Sequence, residues 1–439
     1  LFRSLFLLFL PLLLLAEEYE IRLPTRLQLK PIYLSRLHTS ETDWRYCDEL
    51  REVLETDLAT NGFCTLVPSS DTLEHRLAWP DVRHTFQVAP WKQDHVAYVF
   101  AIQAIKGKFQ LVAFNIENGS SKRYPEMELT GKLDQDRSIM HKMADQLQKD
   151  IFGLEGVASL RILYTQRQKV GEDWISEIWV CDSDGANAHK ILTEKGYCVS
   201  PGFFPGKKGE FFYVTFSQGQ SKIYRSALHK KVGEPMIVMR GSQVLPAVNA
   251  KATQMTFISD IAGRPDLFIQ NLDNKGNMVG KARQLFSAPR ATQATSTFSP
   301  DGKKLAFVSD KDGPPRIYQM EILSPNDTKR ATPRLLTKVN RDNTSPTWSP
   351  DGSKIAYVSR VDGIRQIWIY DFETEEEIQL TTSPEDKENP SWAPDSMHLV
   401  YNTESDDLCE LYVIHLNKKE PVQISKGPDQ KRFPCWELR

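Results

Sequence analysis

An aromatic residue returns along this chain at a nearly fixed interval, and the interval dictates the architecture. Phe298, Trp348, Trp392 and Trp436 stand 50, 44 and 44 residues apart. In Ser345 to Thr382 a short run ending at Trp348 leads into KIAYVS, QIWIYDF and EIQLTT, three runs rich in β-branched and aromatic residues, with turns at Pro350-Asp351-Gly352 and Asp362-Gly363. This is the pattern of a four-stranded antiparallel meander, and it recurs from Thr297 and again from Pro390 to Lys426. Two weaker copies run backwards: Phe203 lies 45 residues before Val248, and Val248 lies 50 before Phe298. A proline two positions ahead marks five of the six copies, at Pro201, Pro246, Pro346, Pro390 and Pro434, with Ser296 in the remaining one.

One such sheet cannot bury both of its faces, so a repeat of this length built from strands implies radial packing. The apolar residues step with period two, which excludes solenoids of helix pairs. The ends of the repeat show how the ring closes. RFPCWELR supplies one strand after the last full copy, whereas ASLRILYTQRQ, SEIWVCDSDG and AHKILTE, between residues 158 and 194, supply three strands without an opening aromatic. One plus three makes a blade. The expectation is a six-bladed β-propeller over 157–439. Its first blade runs from about 157 to 196 and is completed by 433–437; five more begin near Tyr197, Gly241, Ala288, Val339 and Ser383. Joining both chain ends in one sheet leaves no edge open to a further strand.

Residues 17–152 have a different texture, that of a small α/β domain, so the chain reads as multidomain. KPIYLSRL and FCTLVP are strand candidates. Between them Ser40 to Asp43 open a helix with Trp44, Cys47, Leu50, Val53, Leu54 and Leu58 on one face, stopped at Asn61-Gly62. A hairpin and a third strand follow within 95–129. A second helix then repeats Ile139, Met143, Leu147 and Ile151 at i+4. The link Phe152 to Gly156 is too short and apolar for a free linker, which predicts domains in contact. Residues 1–16, with Arg3 ahead of an apolar run too short for the roughly 20 residues of a membrane span, read as a secretory signal peptide.

The rest of the inventory argues against chemistry. A net charge of −2 gives no electrostatic case for nucleic acid. Nine histidines are scattered without HExxH or zinc spacing, no GxSxG occurs, and no cofactor is implied. With Arg439 placed in the expected closing strand, a following hydrolase domain is not expected. The six cysteines show no CxxC pair and read as buried thiols. Asp182-Ser183-Asp184-Gly185 lacks a carboxylate at the twelfth position of a calcium loop and reads as a hairpin turn. The SPDG turns read as scaffold, Pro fixing φ and Gly supplying the positive φ.

What remains is surface. Loops entering the innermost strands crowd one face around the central channel; by their order, Thr292, Gln293, Arg341, Asp342, Asn343, Thr344, Lys387, Glu388, Gln430, Lys431 and Arg432 should ring its mouth, with Ala294 beside them. The loops joining second and third strands add Arg264, Lys311, Arg316 and Arg365. A rigid rim of mixed charge suits protein docking.

The order of these parts is specific: an apolar leader, a small α/β domain, GLEGVASLRILYTQ, WVCDSDGANAHKIL, successive PxWSPDGxKIAYVS blades and a terminal RFPCW strand. It resembles the TolB family, periplasmic propeller proteins of the Tol-Pal system. The resemblance implies a non-enzymatic, monomeric periplasmic scaffold acting in outer-membrane integrity and in constriction during cell division. It implies docking of a Pal-type lipoprotein at the loops that carry Thr292, Gln293, Ala294, Asp342, Asn343 and Thr344. It also implies contact with a TolA-type inner-membrane protein through Glu17, Glu18, Tyr19, Glu20, Ile21, Arg22 and Leu23. The chain departs from the pattern at Val248, at Ala393 to Asp395 and in EEYEIRLPTRLQLK. A carbohydrate-active propeller, with carboxylates converging in the channel, and a peptidase-associated substrate filter remain open alternatives.

Overall fold

The computed structural model describes residues 29–39, 43–79, 82–192, 197–217, 219–237, 239–324 and 331–438. The signal-peptide assignment and the segment from Glu17 to Leu23 lie outside the described residues. Six four-stranded sheets form the propeller. Their innermost strands are Cys198–Phe203, Gln243–Val248, Gln293–Phe298, Asn343–Trp348, Asp386–Trp392 and Gln430–Trp436. The last of these pairs antiparallel with Arg161–Val170, setting Trp436 opposite Ile162, so the C-terminal strand closes the ring as its lone fourth strand required.

In blades five and six the recurring tryptophan ties its blade to the one before. The Trp348 amide donates to Thr297 Oγ1 at 3.1 Å, and the indole of Trp392 donates to the Thr347 carbonyl, also at 3.1 Å. The prolines two positions ahead have an equally local role. Every innermost strand breaks register with its neighbour just there, and in five of them the residue before proline takes a left-handed conformation: Ser200, Leu245, Ser345, Asn389 and Phe433, with φ between 50° and 54°. Proline cannot donate to the ladder, and a bulge is where a strand tolerates it. The SPDG turns are scaffold: Asp351 accepts from Ser349 Oγ at 2.6 Å and from the Ser353 amide at 3.0 Å, and Gly352 takes φ 80°.

In the N-terminal region, Lys30–Leu34 lies between Cys64–Leu66 and Tyr98–Ile105, parallel to both, and the hairpin continues through Lys108–Asn115 to Ser121–Arg123. Two helices, Trp44–Thr60 and Leu133–Phe152, pack on one face; Trp91 and short helical turns between 71 and 93 cover the other. Asp43 caps the first helix by accepting from the Tyr46 amide. Trp44, expected on the buried face, is 71% exposed, because it sits at the first helical position ahead of the turn that packs. The second helix buries Met143 and Leu147 as its period requires, but also Asp136, His141 and Gln148, while Ile139 and Ile151 are only half-buried.

Those buried polar residues mark a seam between the two regions. The first helix ends against blade six. There His398 Nε2 lies 3.1 Å from the Thr60 carbonyl, Asn417 Nδ2 donates to Gly62 O at 3.0 Å and Lys418 Nζ to Cys64 O at 3.2 Å. The second helix meets blade one, where Arg137 pairs with Asp184 and Asn187 Nδ2 donates to the Asp134 carbonyl at 3.2 Å. The Asp182–Gly185 turn, read from sequence as a plain hairpin, closes as one through Gly185 N to Asp182 O at 2.9 Å, and its Asp184 is also a seam residue. No helix among the described residues is long and apolar enough to cross a membrane.

Candidate functional site

Each innermost strand starts at the propeller face opposite the seam, so the loops entering these strands and the hairpins joining second and third strands share that face. The structure divides the rim residues expected there into two groups. Gln293, Asn343, Lys387, Gln430 and Lys431 are all buried and do not ring the channel mouth. Four of them hold the loops from beneath, whereas the buried Gln293 side-chain amide finds no hydrogen-bond partner among the described residues. Lys431 Nζ reaches Glu410 Oε1 at 3.0 Å and the carbonyls of Gly427 and Pro428 at 2.9 and 3.0 Å. Lys387 donates to the Ser383 and Glu385 carbonyls, Asn343 to Thr337 Oγ1 and the Asn340 carbonyl, each at 2.9 Å, and Gln430 to the Asp406 carbonyl at 2.6 Å. Gln243, Gln293, Asn343, Lys387 and Lys431 all stand five residues ahead of their blade's marker residue. A polar residue at that fixed offset was the sequence signal for a loop support. A carbonyl-rich loop folded over a buried strand end needs donors from below.

The other rim residues reach the surface to differing extents. Thr292 and Arg341 are exposed; Ala294, Asp342, Thr344, Glu388 and Arg432 are partly so. Thr292 is tied to Asp310 through its amide and hydroxyl, at 2.6 and 2.7 Å, and Asp342 to Arg360 at 3.1 Å. Between blades five, six and one a charged group gathers. Arg365 pairs with Asp386, at 2.9 Å, and with Glu388, and Arg432 pairs with Glu404. Burial pushes the Glu388 and Glu404 carboxyls above their usual range, against the pull of the two guanidinium groups. Of the second loop set, Arg264 donates to Ser287 Oγ at 2.8 Å, Arg316 to the Thr337 carbonyl at 2.8 Å, and Lys311 lies over the Tyr318 ring at 4.3 Å.

Sequence reasoning missed the apolar part of this face. Val170, Trp174, Tyr197, Phe216, Ile261, Val339 and Leu408 are exposed, and all lie in its loops and hairpin ends. Tyr197 bridges to Ser176, and its carbonyl accepts from the Phe216 amide at 3.0 Å, so blades one and two bring Trp174, Tyr197 and Phe216 to one side of the disc. Their only sequence signal is a large apolar residue in a polar hairpin.

The channel holds a cavity of about 560 Å³ lined by the proline bulges and the blade aromatics. No described residue lining it carries a carboxylate or an imidazole; its one titratable group is the Cys435 thiol, which burial pushes up. All six cysteines are free thiols, five of them buried. At the seam, Asp395, His398 and His415 lie close together, as do Asp57, His141 and Asp184. Both His398 nitrogens are already engaged and Arg137 occupies Asp184, so neither group offers a cation an open set of donors.

Comparison with known proteins agrees with this architecture. The family model described as the TolB beta propeller domain matches residues 149–438. A curated relative, the Protein TolB homolog of Protochlamydia amoebophila (strain UWE25), is 42% identical over 84% of this chain and 81% of its own length. The Protein TolB homolog of Chlamydia caviae is 34% identical over 66% of this chain and 65% of its own. The crystal structure of TolB from Acinetobacter baumannii shares the fold, with a TM-score of 0.76 at 22% identity, across 94% of this chain and 97% of that one. A propeller closed by its last strand, carried behind a small α/β region and matched by sequence over most of its length, places this chain in the TolB family of β-propeller proteins.

Proposed function

We propose that this protein is the non-enzymatic propeller component of a periplasmic Tol-Pal system, docking a Pal-type peptidoglycan-associated lipoprotein on the loop face. In this reading the mature N-terminal segment, Glu17 to Leu23, communicates with a TolA-type inner-membrane protein, and the assembly serves outer-membrane integrity and constriction during division. One observation carries the docking role: large apolar side chains, Trp174, Tyr197 and Phe216 among them, are exposed on the face whose loops are braced from below. Exposed aromatics on a rigid base lose little entropy on binding, which is the profile of interface anchors. Family membership supports the same reading. The test is calorimetric titration of the full chain with the soluble domain of a Pal-type lipoprotein. A one-to-one complex is expected, weakened at least about tenfold by Trp174→Asp with Phe216→Asp. A complex indifferent to both substitutions would move the interface elsewhere.

A further inference from the structure

His398 opens the second strand of blade six, buried at the seam with the N-terminal region. Its Nδ1 lies 2.6 Å from Asp395 Oδ2 and its Nε2 lies 3.1 Å from the Thr60 carbonyl. Both partners are acceptors. A neutral imidazole has one N–H, so one of the two contacts would set lone pair against lone pair; only the doubly protonated ring satisfies both. We propose that His398 is a proton-dependent latch, its imidazolium fastening the N-terminal α/β region to the propeller.

The latch arises where blade six departs from its repeat. In the equivalent turn of blade five, Ser349 bonds to the Asp351 carboxylate and Lys354 occupies the place of His398. Blade six has Ala393 and His398 instead, and Asp395, besides accepting the Met397 and His398 amides at 3.0 Å each, turns its second oxygen to the imidazole. The neighbouring strand sets His415 directly opposite His398, with ring centroids 4.5 Å apart. His415 Nδ1 accepts the Asn417 amide at 2.9 Å; burial and then the His398 charge push this histidine down to about 2, so it stays neutral. For His398, burial opposes the charge, but the Asp395 carboxylate outweighs it and holds the ring above the usual histidine range, with Asp145 of the second helix helping. Lys418 acts on His415, and the cluster of Asp57, Arg137, His141, Asp182 and Asp184 stands further along the seam.

Because the docked value is raised above that of a free histidine, the latch is complete below about pH 6.5 and is released as pH rises through the docked value. The test is amide hydrogen exchange on the full chain, corrected for intrinsic rate, at Gly62, Phe63 and Asn417. Exchange at these seam amides should accelerate by about tenfold per pH unit through the release window. His398→Gln, which keeps a neutral donor, should exchange faster at low pH and show no such window. Asp395→Asn should shift the window to lower pH. Nitrogen NMR of the histidine rings in the unmodified protein reads the proton directly, without any variant. A neutral His398 ring below pH 6, or seam exchange in the unmodified protein with no pH window, would overturn the latch.

Discussion

Arg161 and Glu437, 276 residues apart in sequence, are joined by a two-pronged ion pair: Nε to Oε2 at 2.9 Å and Nη2 to Oε1 at 2.7 Å. The pair sits beside the Trp436–Ile162 pairing, where the last strand closes the first blade. The Glu437 side chain is buried while a third of Arg161 remains in water, so the bond is worth less than a fully buried one. Glu437→Ala should cost about 1–2 kcal/mol and lower the melting temperature by roughly 2–3 °C. Calorimetry of the full chain checks this; an unchanged transition would mean that closure does not depend on the clasp.

The loop supports predict a sharper loss. Lys431 and Glu410 are both buried and pair at 3.0 Å. Lys431→Met strands a buried carboxylate and should destabilise by about 3 kcal/mol, whereas Lys431→Met with Glu410→Leu should recover much of it. Denaturant midpoints of the two variants decide the matter, and equal losses would refute the stranded-charge account.

Strain at the proline bulges predicts a gain. Ser345 holds φ 50° ahead of Pro346, a conformation that costs a side chain but not glycine. Ser345→Gly should therefore be neutral to stabilising, by up to about 1 kcal/mol, even though glycine in a strand ordinarily weakens it. A loss of the same size would show that the bulge is relaxed.

Close approach at the seam predicts separation of the two regions. A Cβ on Gly62, at φ 73°, would stand 2.0 Å from the His415 ring. Gly62→Ala should loosen the seam without unfolding either part, seen as faster protease cleavage near 153–156 with circular dichroism unchanged. Cleavage at the original rate would show that the seam tolerates the shift.

Charge on the loop face predicts a binding effect under the proposed function. Asp342 is paired with Arg360 at the face, and Thr344 lies beside it. Asp342→Lys with Thr344→Lys should weaken a Pal-type complex about tenfold, mainly through slower association at low salt. Unchanged kinetics would exclude blade five from the interface.

The repeat was legible because its cause is local. The marker residue, the proline two ahead and the SPDG turn each act within one blade or on its neighbour, as the Trp392 to Thr347 bond shows, so spacing alone gave six blades and a shared first sheet. The rim was legible only in part. Asn343, Lys387 and Lys431 have the composition of a surface, and only the folding of each loop back over its strand turned them into buried supports. The same holds for His398, Asp57 and His141: polarity says exposed, but a second region packs against them from far along the chain, and a buried donor or carboxylate must then find its partner there. Sequence by itself determined the strands, their number and the closure of the ring, since those follow from periodicity between near neighbours. Which polar residues are surface and which are seam was decided by tertiary structure, since burial depends on contacts that no local pattern encodes.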